Sequence, residues 1–450
     1  MPQAYSSSAP PREPEAHNGH VFERELETLP REQLAQLQLE RLRWTLQQAG
    51  RNQRYARHFQ AEASDVRSLD DVQRLPFLTK ADLRDAYPLE LSTVPKTELL
   101  RFHMSSGTTG NPILQPYTRA DVLQWGQVMA RCLAAATLTC EDTLQITPSF
   151  GLFNGGFGFH YGAETLGCFV IPSGPGRTLL QLKLMHELGA TALAGIASYG
   201  VRLIETAEAE GLDSRKSPLR VGIFGSEMWS DQLRRRIEDR LGVECFDIIG
   251  MTETGGVGMG IDCPAHAGIH VWEDHYLVEI ADLHAGRLVP DGETGELVVT
   301  TLTREALPMV RYRTGDLTSV VSRDRCDCGR TSLRLERFRG RADDMLIANG
   351  VNFYPKQVEA LLLSEPAIDN HYQLVLTEDA GLDVVTVECE VRTEPNVDPL
   401  RQRFADLIGF RPRFRFYKPG EMDRPEGKAV RVIDRRPSSS SSPAAAGEAR

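Results

Sequence analysis

From Arg31 to Gln48 the chain reads REQLAQLQLERLRWTLQQ, with leucines at helical spacing and charges on the opposite face, which predicts an amphipathic helix. Further on, the pattern becomes short apolar runs separated by helical stretches. TLQITPS (143–149), CFVIPSG (168–174), ALAGIAS (192–198), RVGIFGSE (220–227) and ECFDIIG (244–250) predict strands. LLQLKLMHELGA and SDQLRRRIEDRLG, which lie among them, predict helices. Such alternation points to an α/β architecture with several parallel strands.

After Gly255 the runs become hairpin-like: HYLVEIAD, RLVPDGETGELVVTTLT with its Asp-Gly turn signal, and DLTSVVS. A smaller α/β pattern occupies about 345–436, and the charged, glycine-bearing RFRGRADD (337–344) marks the joint before it. Residues 1–20 and 437–450 are rich in Ser, Pro and Ala, so disorder without chemistry is expected there. The expected organisation is a domain over 21–340, a hinge at 341–344 and a lid domain over 345–436.

Composition narrows the class. Hydrophobic content of 41% and charged content of 25% suit a soluble globular protein, and 450 residues suit one large domain with a small one. A net charge of −11 argues against a non-specific nucleic-acid binder while leaving room for a local basic pocket. No run of about 18 apolar residues appears, so no membrane span is expected. The N-terminus lacks the pattern of a signal peptide, and most of the eight cysteines sit singly in apolar segments as reduced core thiols do; both suit a cytoplasmic enzyme.

Two constellations carry chemistry. In HMSSGTTGNP (103–112), backbone N–H groups and hydroxyls of Ser105, Ser106, Gly107, Thr108, Thr109 and Gly110 can form an anion-binding concavity. A Walker loop is excluded, because Asn111 and Pro112 follow Gly110 where Lys and Ser/Thr are required. Composition alone would equally describe a mobile connection. Secondly, Cys263, with His266 and His270 after it, precedes Cys326-Asp-Cys328; three thiolates and one imidazole satisfy a structural tetrahedral zinc site.

SSGTTGNP resembles the phosphate loop of the adenylate-forming superfamily, the acyl-CoA synthetases and their relatives. Gly250-Met251-Thr252-Glu253, GETGELVVT (292–300), YRTGDL (312–317) and GRADD (340–344) resemble further motifs of that superfamily, in its order. RYRTGDL, WEDHY (272–276), GRADDMLIANGVNFYP and EGKAVRVIDRR (426–436) look more closely like the phenylacetate–CoA ligase family. The likeness spans about 21–436. It implies a large N-terminal α/β domain with several sheets and packed helices, plus a small mobile α+β C-terminal domain.

The resemblance implies two steps. A carboxylate attacks the α-phosphate of ATP, giving an acyl-adenylate and pyrophosphate, and the thiol of coenzyme A then displaces AMP. It assigns Glu253 to Mg²⁺, Thr252 to the α-phosphate, and Asp316 to the ribose hydroxyls. Gly225, Ser226, Glu227, Asp247, Ile249, Gly250 and Met251 fall beside the adenine. Ile249 replaces the family's aromatic and can cover the base but not stack on it. Lys428 becomes the catalytic lysine bridging carboxylate and α-phosphate, Arg341 the phosphate-reaching arginine, and Asp343 the hinge pivot. Phe150, Phe157, His160, Tyr161, Gly162, Ala163 and Ala197 fall in the aryl-acid pocket. His270 becomes the fourth zinc ligand, with His266 the alternative. Asn111 departs from the lysine of many relatives. A carrier-protein phosphopantetheine thiol is the alternative acceptor, and a homodimer is expected from the family.

Overall fold

The computed structural model describes residues 21–59, 65–105, 111–283, 285–342, 346–348, 351–379, 382–423 and 430–436. Both low-complexity termini, loop residues 106–110, Asp343 and Lys428 lie outside them. The chain divides into two compact units. One takes residues up to Ser226 together with Ile237–Arg337; the other takes Glu227–Arg236 and residues from Phe338 onward.

The large unit opens with helices α1 (Arg24–Glu27), α2 (Arg31–Gly50), α3 (Gln53–Phe59) and α4 (Lys80–Asp85). α2 is the amphipathic helix of the sequence pattern. Its Leu42 and Leu46 pack with Tyr55, Phe59, Leu83 and Tyr312 in one apolar core. β1 (Arg101–Met104) and β2 (Leu114–Tyr117) form an antiparallel hairpin. α5 (Arg119–Ala135) starts where Thr118 and Asp121 satisfy each other's backbone N–H groups, a reciprocal cap.

An alternating series follows: β3 (Thr143–Ile146), α6 (Gly155–Leu166), β4 (Phe169–Ile171), α7 (Thr178–Glu187), β5 (Ala192–Gly195), α8 (Ala197–Ala209), β6 (Val221–Gly225), α9 (Asp231–Leu241) and β7 (Glu244–Met251). The later strands are β8 (Gly256–Ile261), β9 (Ile269–Val271), β10 (Tyr276–Ala281), β11 (Gly295–Thr301), β12 (Tyr312–Thr318), β13 (Val320–Ser322) and β14 (Arg334–Leu335). The main sheet runs β13-β14-β9-β8-β7-β6-β5-β3-β4. Its β7-β6-β5-β3-β4 portion is parallel and the remainder antiparallel. β10, β11 and β12 pair antiparallel in a separate sheet.

The small unit contains β15 (Gly340–Arg341), a hairpin of β16 (Leu346–Ala348) and β17 (Val351–Phe353), α10 (Pro355–Leu363), β18 (Ile368–Asp379), β19 (Leu382–Val391), α11 (Val397–Leu407), β20 (Arg413–Tyr417) and β21 (Val432–Asp434). Its sheet has the order β20-β19-β18-β21. Val358, Leu362, Leu374, Val387, Leu400 and Phe404 form its core.

The predicted α/β class and parallel strands are present, with differences at element ends. β3 stops at Ile146, shortly before Pro148, which cannot donate to a central ladder, and the edge strand β4 stops at Ile171, directly before Pro172. The expected strand 192–198 yields to α8 from Ala197. DLTSVVS divides between two sheets, β12 beside β11 and β13 beside β14. Four glycines over 155–162 argue against a helix, yet α6 forms there. Close packing on α5 overrides propensity: a Cβ on Gly162 would lie 2.5 Å from the Met129 Cβ. No helix among the described residues is long and apolar enough to cross a membrane.

Candidate active site and metal centre

Because β3, β5, β6 and β7 run parallel, their C-terminal ends share one edge of the sheet. The sequence leaves that edge at Pro148–Phe150 after β3, at Ala197 after β5, at Ser226 after β6 and at the Thr252–Thr254 turn after β7. β3 lies between β4 and β5, so strand order reverses between β3 and β5. Open α/β sheets place ligands outside the strand C-termini at such a reversal. Backbone geometry at this edge is tight. A Cβ on Gly225 would sit 2.3 Å from the Ile248 carbonyl oxygen, and Ser226 has φ +65°. Ile249, 5% exposed, pairs with Gly260, and the register shifts between Ile249 and Gly250.

Thr252–Thr254 form a single 3₁₀ turn ended by Gly255 at φ +105°. Glu253 is 7% exposed and makes no hydrogen bond or ion pair among the described residues. A buried carboxylate without a cation is costly, so this one fits a hard cation brought in with phosphate. Across the hairpin, the neck of the 106–110 loop is closed by Ser105: its N–H donates to the Ile113 carbonyl at 3.0 Å, and the Ile113 N–H to the Ser105 hydroxyl at 3.3 Å.

Asp247 lies on β7 beside Phe224 of β6, and its carboxylate accepts a hydrogen bond from Arg337 Nε at 2.6 Å. Asp316 sits on β12 after Gly315 at φ +80°, 9% exposed, its N–H bound to the Thr314 hydroxyl at 3.0 Å. Glu227 and Arg341 belong to the small unit.

The ring-rich segment after β3 is joined to the loop hairpin. The Met104 N–H donates to the Leu152 carbonyl at 2.9 Å, and His103 Nδ1 meets the Gly151 carbonyl at 2.9 Å. Phe150 and Phe157 meet edge to face at 5.5 Å, Phe157 stacks on Tyr161 at 6.0 Å, and His160 lies 6.0 Å from Phe150. Gly162 faces Met129 of α5, Ala163 is fully buried, and Ala197 is fully buried at the start of α8. The structure thus groups Phe150, Phe157, His160 and Tyr161, and packs the small residues behind them.

Cys263, His270, Cys326 and Cys328 place one ligand atom each within 4.8 Å of one another. Cys263 Sγ is 3.8 Å from Cys326 Sγ, and Cys328 Sγ is 3.4 Å from His270 Nε2. His270 Nδ1 meets the Ser332 hydroxyl at 3.0 Å, which leaves Nε2 for a metal. The neighbouring Cys263 thiol and the His270 imidazole lower the Cys328 thiol below its usual range. Three cysteines and one histidine, four ligands with three of them buried, fit structural zinc. His266 is engaged elsewhere, 2.8 Å from Asp262 and 3.0 Å from Glu244.

Some residues the motifs did not single out also contribute. Arg337 lies in the quoted joint but only the fold brings it to Asp247. Arg304 is 1% exposed, lies over the Tyr117 ring at 4.4 Å and fills the space a Cβ on Gly255 would need. Its sequence context, TREAL, carries no signal for this.

Residues 25–303 match the family of AMP-binding enzymes, and residues 350–436 match the AMP-binding enzyme C-terminal domain. Phenylacetate–coenzyme A ligases from Aromatoleum evansii and Escherichia coli K12 are each 39% identical to this chain. They cover 92% and 91% of it, over 97% of their own lengths. The crystal structure of a 2-hydroxyisobutyryl-CoA ligase holding 2-HIB-AMP superposes with a TM-score of 0.87 over 95% of each chain at 27% identity. The chain therefore belongs to the AMP-binding enzyme family, within the phenylacetate–CoA ligases of the adenylate-forming superfamily, and is an AMP-forming acid–CoA ligase.

Proposed function

We propose that the acid is an aryl carboxylate of the phenylacetate, benzoate or anthranilate type, activated by ATP and passed to the thiol of coenzyme A. The observation that carries this reading is the reversal between β3 and β5, where the ring cluster of Phe150, Phe157 and Tyr161 stands on the same sheet edge as the Thr252–Glu253 turn. Apolar rings suit an aromatic acid, and the phenylacetate ligases among the relatives support the same class.

In the first step a carboxylate oxygen of the acid attacks the α-phosphorus and the bond to pyrophosphate breaks. Backbone N–H groups and hydroxyls of Ser105, Ser106, Gly107, Thr108, Thr109 and Gly110 hold the phosphates, and Thr252 donates to the α-phosphate. Glu253 would hold Mg²⁺, which would supply positive charge to offset that of the phosphates. Asp316 accepts from the ribose hydroxyls, and Asp247, fixed by Arg337, lies beside the adenine with Gly225, Ser226, Ile249, Gly250 and Met251. The ammonium of Lys428 bridges the two anions as they meet, and Arg341 reaches the phosphate. In the second step the coenzyme A sulfur attacks the acyl carbon, AMP leaves, and the joint at Asp343 absorbs the exchange of Lys428 for the thiol. Cys263, His270, Cys326 and Cys328 would hold a structural zinc ion, which would take no part in either step.

Pyrophosphate release across a panel of aryl and aliphatic acids tests the reading, with product analysis for acyl-CoA. One aryl acid giving matched pyrophosphate, AMP and acyl-CoA is expected. Turnover confined to aliphatic acids would overturn it.

A further inference from the structure

The cysteine–histidine cluster lies against the start of the described chain. Arg330, two residues after Cys328, donates from Nε to a carboxylate oxygen of Glu27 at 2.7 Å, with both side chains fully buried. The same guanidinium lies within electrostatic reach of the Cys328 sulfur. The other Glu27 oxygen accepts the N–H groups of Phe22 and Glu23 at 2.9 and 2.7 Å. Thr331 adds three links. Its N–H donates to the Glu27 carbonyl at 3.2 Å, its hydroxyl to the Leu29 carbonyl at 2.6 Å, and its own carbonyl accepts from Arg31 at 3.4 Å. Ser332 then contacts His270. Three consecutive residues therefore face a metal-ligand cluster on one side and residues 22–31 on the other.

The turn that carries them is joined to the main sheet just beyond Ser332, where the Leu333 N–H donates to Glu273 at 2.7 Å and the Leu333 carbonyl accepts from Val271 at 3.2 Å. Cys326 N–H bonds to the Arg330 carbonyl and Gly329 N–H to the Cys326 carbonyl, closing the turn on itself at 2.9 and 2.8 Å. Regular strand resumes only at Arg334. A metal bound by Cys326 and Cys328 would tie this turn to Cys263 and His270. Three thiolates with a divalent ion leave one net negative charge beside Arg330, which Glu27 also faces.

We infer that metal loading of the Cys263–His270–Cys326–Cys328 cluster fastens residues 22–31 to the large unit through Arg330 and Thr331, and that their docking in turn tightens metal binding. The second half follows by linkage, since coupling between two binding events is reciprocal. The inference rests on the zinc reading above but is separable from it.

The test is hydrogen–deuterium exchange on the full chain, zinc-loaded and after removal of zinc by a chelator under reducing conditions. Residues 22–31 should lose protection together with 326–332 and regain it when zinc is returned. Glu27→Gln should weaken zinc binding roughly tenfold, measured by competition with a chromophoric chelator. Zinc bound stoichiometrically with 22–31 equally protected in both states would overturn the inference and leave the zinc reading standing. Protein that takes up no zinc would overturn both. If Glu27→Gln fails to fold, the wild-type exchange comparison decides alone.

Discussion

Asn111 and Glu253 differ in how much of their role the sequence reveals. Asn111 is exposed, directly after residues 106–110, and its meaning comes from comparison with a motif. Asn111→Lys should lower the KM for ATP about fivefold, worth roughly 1 kcal/mol for an exposed charge pair, with kcat within about twofold. Pyrophosphate-release kinetics would show this, and the gain should shrink in high salt. Glu253 could be named from its motif, but its burial without a cation could not, because burial depends on strands distant in sequence. The same holds for His103 and His275. Burial pushes their imidazoles down to about 4 and about 3. The folded chain therefore refuses protons that the unfolded chain binds below about pH 6.5, so stability falls on acidification at about 1.4 kcal/mol per pH unit for each residue. Denaturant midpoints should drop from pH 6.5 to pH 5, and His103→Asn should flatten that slope.

The parallel strands were readable as elements because each is a short apolar run bounded by Gly, Pro or polar residues. Helix α6 was not, since its sequence, GGFGFHYGAETL, is poor in helix formers and its stability comes from contact with α5. The glycines that weaken the pattern are those that let the two helices approach. Gly162→Ala would press a methyl against the Met129 backbone, 2.8 Å from its carbonyl carbon. It should cost about 1–3 kcal/mol and lower the Tm by several degrees, read by thermal unfolding. An unchanged Tm would mean that α6 can shift away without loss. The ends of β3 and β4 depart from the sequence pattern for a simpler reason: the pattern continues through Pro148 and Pro172, and pairing does not.

The two-unit organisation was legible from the change of pattern near the joint. The assignment of Glu227–Arg236 to the small unit was not, since nothing local distinguishes that segment from its neighbours. The small unit's sequence also carries Lys428. Lys428→Ala should reduce acyl-adenylate formation by roughly 10²–10³-fold. Conversion of supplied acyl-adenylate to acyl-CoA should stay near wild type, measured as separate half-reactions. Equal loss in both would remove Lys428 from its proposed place. The reversal of strand order has one more consequence. Phe150 and Ala197 follow neighbouring strands that diverge in topology, whereas the residues assigned to the adenine and ribose lie on or just after β6, β7 and β12 and those assigned to the phosphates lie after β1 and β7. For the aryl-acid reading, acid choice and adenine holding thus sit on separate loops, so this lineage can drift to new acids, or be steered to them by laboratory evolution, with the bonds from His103 and Met104 to residues 151–152 as the place where such a change reaches the triphosphate.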